Sequence, residues 1–156
     1  MSNAFFIYRP TLESILRNLS FVQKGIREKP ILIISANTNN KLYSELGITP
    51  KDLVDLGAQV VVVILISPSH AVIVSRKHGR IELKIRDIKV RQNINSTNAF
   101  IAFLLYYMFK GEDLLYSMKK ALIASSIKSI KSLPYMFPLL DEVEKAGLEV
   151  IELREK

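Results

Sequence analysis

Apolar residues along this chain fall into blocks, and the spacing within each block changes from one to the next. Those changes predict the order of elements. Phe5–Tyr8 is a short apolar run closed by Arg9-Pro10, which reads as a strand and its stop. From Thr11 to Glu28 the positions Leu12, Ile15, Leu16, Leu19 and Val22 recur at helical spacing, with Thr11 and Ser14 available as caps. Lys29–Asn37 reads as a buried strand whose apolar run ends at Ser35-Ala36-Asn37. Asn40–Ile48 and Thr49–Gly57 read as two short helices. The first is stopped by Gly47; the second has Thr49 as cap, Pro50 in its first turn and Gly57 past its end.

Ala58–Ile66 is a continuous, largely β-branched run, the pattern of a strand buried on both faces in a parallel sheet. His70–Arg76 and Arg80–Val90 then flank Lys77-His78-Gly79. The second segment alternates Ile81, Leu83 and Ile85 with charged residues, so the pair reads as a hairpin with one wet face. A polar stretch ends abruptly in the apolar block Ala99–Phe109, which predicts a buried helix starting at about Ser96. Phe100, Phe103, Leu104, Tyr107 and Phe109 are its expected core contributions. Glu112–Lys131 predicts an amphipathic helix. Lys120, Lys128 and Lys131 lie near one face and Ile123, Ile127 and Ile130 on another, with Lys119 and Lys120 turned to solvent. Pro138–Gly147 leads into the apolar run Leu148–Leu153. Strands alternating with helices, followed by a helical tail, define an α/β layered fold.

Composition narrows this picture. A chain of 156 residues suits one domain over residues 1–156, and 49% hydrophobic with 24% charged residues is the balance of a globular protein. The longest apolar runs, Val60–Ile66 and Ala99–Phe109, are too short to cross a bilayer, so no membrane partner is expected. Met1–Phe6 lacks the basic start and long apolar core of a signal peptide, and cytoplasmic residence is the expectation. Ser2-Asn3-Ala4 resembles a cloning scar, so residues 1–4 carry no functional argument.

Cysteine is absent, which removes disulfides, thiolate metal sites and Cys nucleophiles together. His70 and His78 are the only histidines and are not spaced as ligands, so neither a His-based zinc site nor a Ser-His-Asp triad is expected, and no metal ligand is assigned. The net charge of +7 invites an anionic partner. The basic residues, however, are spread over Ser75–Arg80, Lys84–Arg91 and Met118–Ser132, which favours a solvated surface over a nucleic-acid face.

The stretch Asn95-Ser96-Thr97-Asn98 admits two readings. Helix N-termini after polar loops hold phosphate, because their first N–H groups and dipole favour an anion. The same residues also make a good N-cap with no ligand. Asn37 and Asn40 likewise read either as turn residues after a strand or as ligand contacts.

The order of these segments resembles the C-terminal half of the ribokinase-like (PfkB) family of sugar and nucleoside kinases, over Phe5 to about Lys145. "FFIYRP" resembles the family strand ending Asp-x-Asn-x-Arg-Pro, with Arg9-Pro10 kept. "ISANTNN" sits where the family has a strand ending in Asn-x-x-Glu. "LGAQVVVVILISPSHAVIV" parallels its Gly-Ala…Val-Val-Val-Thr-x-Gly-x-x-Gly strand and hairpin. "NINSTNAF", with the two helices after it, parallels Thr-Gly-Ala-Gly-Asp-x-Phe, and "PYMFPLLDEVEK" matches the closing Pro-x-x-x-Glu-Val. The implied fold is a layered α/β ribokinase-like sheet with helices on both faces, truncated to the C-terminal half.

The same resemblance implies altered chemistry. The family's glycine-rich turn forms an anion hole of backbone N–H groups, and its Asp takes the proton from the attacking hydroxyl. Asn95, Ser96 and Thr97 occupy the anion-hole positions here, and Asn98 stands at the catalytic Asp. An amide cannot serve as that base near neutral pH, and loss of a general base costs about 10²–10⁴-fold in rate. The family's magnesium- and phosphate-organising Glu corresponds to Asn40, beside Asn37. Its Thr-x-Gly on the nucleotide strand corresponds to Ile64-Leu65-Ile66, its later glycine to Ser69, and its sugar-side Asp-x-Asn to Phe5-Phe6-Ile7.

The resulting expectation is a kinase homologue that is catalytically impaired or inactive and works as an assembly or regulatory module. No cofactor is assigned, and ATP and Mg2+ enter only if kinase activity persists. Family members are much longer, so half of the sheet would expose Phe5–Tyr8 as an edge strand, to be covered by self-association or by a partner chain. The alternative is an ATP-dependent sugar or nucleoside kinase half completed by another chain, which would need a carboxylate from elsewhere; Asp87 and Glu112 are poorly placed for it. A basic nucleic-acid-binding protein is the weaker alternative.

Overall fold

A computed structural model describes residues 7–9, 31–55, 61–86, 88–90, 95–131 and 136–155. Their elements in chain order are β1 (Ile7–Tyr8), β2 (Ile31–Ser35), α1 (Ala36–Leu46), α2 (Pro50–Asp55), β3 (Val61–Ser67), β4 (His70–Ser75) and β5 (Gly79–Ile85). Then come α3 (Ser96–Phe109), α4 (Leu114–Ile130), α5 (Leu140–Glu144) and β6 (Val150–Arg154). Among the described residues the strands form a six-stranded sheet in chain order, β1 to β6, with β1 at an edge. The helix expected over Thr11–Glu28 lies outside the described residues, as do Phe5 and Phe6.

The chain packs as two compact units. The first takes the described residues of Met1–Ile66, Val72–Ile81 and Arg154–Lys156; the second takes Ser67–Ala71 and Glu82–Leu153. In the first unit β1 pairs parallel with β2, Ile7 opposite Ile31, and β2 pairs parallel with β3, Leu32 opposite Val62 and Ile34 opposite Ile64. Leu32, Ile34, Val62 and Ile64 therefore share one sheet face. They pack with Leu42, Leu53, Val54 and Val72 into one core, and Ile31, Ile33 and Val63 of the other face are buried as well. Burial on both faces explains why these strands read as unbroken apolar runs.

Ser35 ends β2 and caps α1 at once, its Oγ accepting the Thr38 N–H at 3.1 Å. The helix thus begins at Ala36, earlier than the expected Asn40, and Asn37 and Asn40 sit on it, exposed, instead of in a turn. Gly47 closes α1 in the left-handed region (φ 66°), where its N–H and that of Ile48 reach back to Tyr43 and Leu42 carbonyls. Thr49 and Asp52 then cap α2 reciprocally: Asp52 N–H donates to Thr49 Oγ1 at 3.2 Å and Thr49 N–H to Asp52 Oδ2 at 2.8 Å. These bonds hold the Asp52 carboxyl below its ordinary pKa.

In the second unit α3 and α4 pack against each other. Their connection is only Lys110–Asp113, so they run antiparallel as a helical hairpin. Asp113 caps α4, accepting the Tyr116 N–H at 2.8 Å. Two expectations fail here. Of the apolar block, α3 buries Ala99, Phe100, Leu104 and Tyr107 only; Phe103 is half-buried and Phe109 is 73% exposed. The apolar block is therefore not enclosed on every side. Conversely, α4 is buried from Ala121 through Ser129, and Lys128, expected on the wet face, is 0% exposed. Lys119 and Lys120 are half-buried and paired with Glu152 (2.9 Å) and Glu144 (3.7 Å). The small residues Ala121, Ala124, Ser125, Ser126 and Ser129 let neighbouring segments close over α4; Ser126 Oγ, for example, reaches the Pro68 carbonyl at 3.1 Å.

Candidate anion site at the start of helix α3

Asn95 precedes α3 in the left-handed conformation (φ 59°, ψ 10°), the single positive-φ residue other than glycine among the described residues. Asparagine tolerates that region better than most residues. Asn95 makes no side-chain cap hydrogen bond to α3. Its Oδ1 instead accepts Asn98 Nδ2 at 3.3 Å. Asn95 thus caps α3 neither in the usual extended conformation nor through its side chain. The first N–H bonded inside the helix belongs to Ala99, which reaches the Asn95 carbonyl at 3.1 Å. By helix geometry the N–H groups of Ser96, Thr97 and Asn98 have no intrahelical acceptor.

Two buried side-chain polar atoms have no hydrogen-bond partner among the described residues: Ser96 Oγ and Lys128 Nζ. Ser96 is the first residue of α3, 3% exposed. Lys128 lies in the last turn of α4, its amine 5.4 Å from the Phe137 ring centroid. Because the helices are antiparallel, the start of α3 and the end of α4 share one end of the hairpin. A buried hydroxyl and a buried amine therefore lie toward the same end of the hairpin as the α3 N-terminus, whose dipole favours an anion. Sequence reading misses Lys128, since a lysine at helical spacing with Lys120 and Lys131 looks solvated. The available signal is its small-residue surroundings, Ala-Ser-Ser-Ile-Lys-Ser.

Magnesium fits less well. Mg2+ asks for hard oxygen ligands, commonly carboxylates. Among the described residues no group of three or more His, Cys, Asp or Glu could hold a metal. Glu112 lies at the opposite end of the α3–α4 hairpin, and Asp87 is outside the described residues. The nucleotide-region positions fall in the first unit: Asn37 and Asn40 exposed on α1, Ile64 4% exposed inside the core, and Ile66 45% exposed near the end of β3. No helix among the described residues is long and apolar enough to cross a membrane.

Parallel β2 and β3 followed by hairpin strands, with a paired α3–α4 carrying an anion-type helix start, define half of a ribokinase fold. No protein-family model and no curated protein sequence matches the chain. Solved structures do. The Methanocaldococcus jannaschii nucleoside kinase, described as an archaeal member of the ribokinase family, superposes with TM-score 0.75 at 15% identity over 92% of this chain and 48% of its own. Thermotoga maritima ribokinase gives 0.73 at 12% over 92% and 48%. Aminoimidazole riboside kinase from Salmonella enterica gives 0.71 at 15% over 90% and 51%. The chain spans about half the length of each of these kinases and shares their fold over that span.

Proposed function

We propose that this chain is a ribokinase-fold module that has lost phosphoryl-transfer chemistry and acts in assembly or regulation. Helix α3 carries the reading. At its start the position of the family's base holds an amide, Asn98, engaged with Asn95. Along its length Ile101, Leu105 and Met108 are half-buried and Ala102 and Phe109 exposed, an apolar stripe at helical spacing open to solvent. Strand β1, at the edge of the sheet among the described residues, offers a second surface for association. Titration with ATP by calorimetry, with and without magnesium, should give no saturable heat, and no phosphate should pass to ribose or nucleosides.

A second reading is favoured by Ser96 and Lys128: a kinase half whose anion site persists, completed by another chain or another part of a longer protein. Micromolar ATP binding abolished by Ser96→Ala would establish it and displace the first reading.

A further inference from the structure

We propose that the first unit holds a separate binding site for a small amphipathic anion, at the end of the sheet opposite Ser35 and Ile66. Strands β2 and β3 run parallel and finish at Ser35 and Ser67. The two-residue turn Pro68-Ser69 reverses the chain, so β4 returns antiparallel and finishes at Ser75, beside the start of β3. At this end a cavity of about 420 Å³ opens between α2 and the β4–β5 turn, a size in the range of small-molecule sites.

Its floor is apolar, from Pro50, Val54 and Val74. Three cations line it, Lys51, Arg76 and Arg80, against two carboxylates, Asp55 and Glu155. Those carboxylates do little to neutralise the arginines. Arg80 Nε stands 4.0 Å from Glu155 Oε2, with both side chains largely exposed. Arg76 donates weakly to the Asp55 carbonyl oxygen at 3.5 Å, not to its carboxylate. A guanidinium placed this way keeps its fork of donors for a carboxylate or phosphate.

The walls are fixed before any ligand arrives. The Thr49–Asp52 reciprocal cap holds α2 and engages the Asp52 carboxylate with Thr49. Ser75 Oγ accepts the His78 N–H at 3.1 Å, and Gly79 takes φ +67°, together setting the turn that carries Arg76 and Arg80. Main-chain pairing of Glu155 N–H with the Arg80 carbonyl at 3.1 Å closes the third side. A ligand with a compact apolar body and one carboxylate or phosphate fits this lining: the body covers Val54 and Val74, and the anion meets Arg76 and Arg80.

The site is tested on the whole chain by two-dimensional amide NMR with benzoate, phenyl phosphate and neutral benzyl alcohol as probes. One or both anions should bind saturably, with shifts concentrated at residues 50–55 and 74–80, and benzyl alcohol should bind at least about tenfold more weakly. Preference between benzoate and phenyl phosphate distinguishes a carboxylate from a phosphate ligand. Arg76→Gln, on an exposed side chain, should weaken the anion about tenfold with the spectrum otherwise retained. Val74→Phe should fill the cavity and abolish binding without changing charge. No saturable shift with either anion, equal binding of benzyl alcohol, or unchanged affinity in Arg76→Gln would overturn the proposal. Because the probes are not nucleotides and the reporter residues belong to the first unit, failure here leaves the reading of α3 untouched.

Discussion

Asn98 donates its side-chain amide to Asn95 Oδ1 across 3.3 Å, so the two amides at the start of α3 are bonded to each other. The pair bridges the first turn of α3 from outside. An aspartate at 98 would lose this donor, and Asn95 would have to turn its amide and offer Nδ2 to keep the contact.

The left-handed Asn95 can be tested by substitution. Asn95→Gly should be neutral to within about 0.5 kcal/mol, because glycine adopts φ 59° without strain. Asn95→Ala should cost about 1–2 kcal/mol, because a Cβ without a local hydrogen bond is disfavoured there. Urea denaturation midpoints of the two variants separate these outcomes, and equal midpoints would contradict a left-handed residue 95.

Lys128 is fully buried, and its Nζ has no hydrogen-bond partner among the described residues, an arrangement that costs stability unless an anion is bound. Lys128→Met keeps the aliphatic stem and should raise stability by about 1–3 kcal/mol in buffer without phosphate or sulfate. Added inorganic phosphate should raise the melting temperature of the parent and leave the variant unmoved if the site binds anions. A destabilised Lys128→Met in anion-free buffer would mean that the amine has a partner in solution.

The apolar stripe of α3 makes its own prediction. Ala102 is exposed at its centre, so Ala102→Glu should leave the fold and the circular-dichroism spectrum intact. If the stripe is an association surface, the substitution should weaken self-association at least tenfold by light scattering. A parent chain that is monomeric at all micromolar concentrations would remove both the stripe and the β1 edge as homotypic contacts.

Helix α5 is held by carboxylates. Tyr107, 2% exposed, donates its hydroxyl to Glu144 Oε1 at 2.7 Å, and Lys131 Nζ reaches Glu142 at 2.9 Å. The Tyr107 bond lowers the pKa of Glu144, while the Leu139 N–H and then Lys131 lower that of Glu142, each from an ordinary 4.5. Burial first, and then Glu144, pushes the Tyr107 hydroxyl up. Depressed carboxylates add stability that is present above pH 4.5 and is lost as pH falls through their folded-state pKa values. Hydrogen-exchange protection factors at residues 140–144 should therefore fall as pH drops below 4.5, before those of the β2–β3 core. Tyr107→Phe should cost about 1 kcal/mol at pH 7 and less at pH 3, read from denaturation midpoints.

The sequence by itself determined the strands β2 and β3, the hairpin that follows, both long helices and the half-ribokinase order. Each of these rests on local chemistry: unbroken β-branched runs, Gly47 and Gly79 at turns, and Asp113 before an apolar helix. Three features were decided only in three dimensions. Ser35 could cap α1 early because β2 runs straight into the helix, which moved Asn37 and Asn40 out of their expected turn. The apolar block of α3 proved half-exposed and the lysine of α4 buried, because burial depends on which segments close over a helix, and a helical period states only which residues share a face. The cavity beside Arg76 joins α2, the β4–β5 turn and Glu155, residues far apart in the chain that only the pairing of strands brings together.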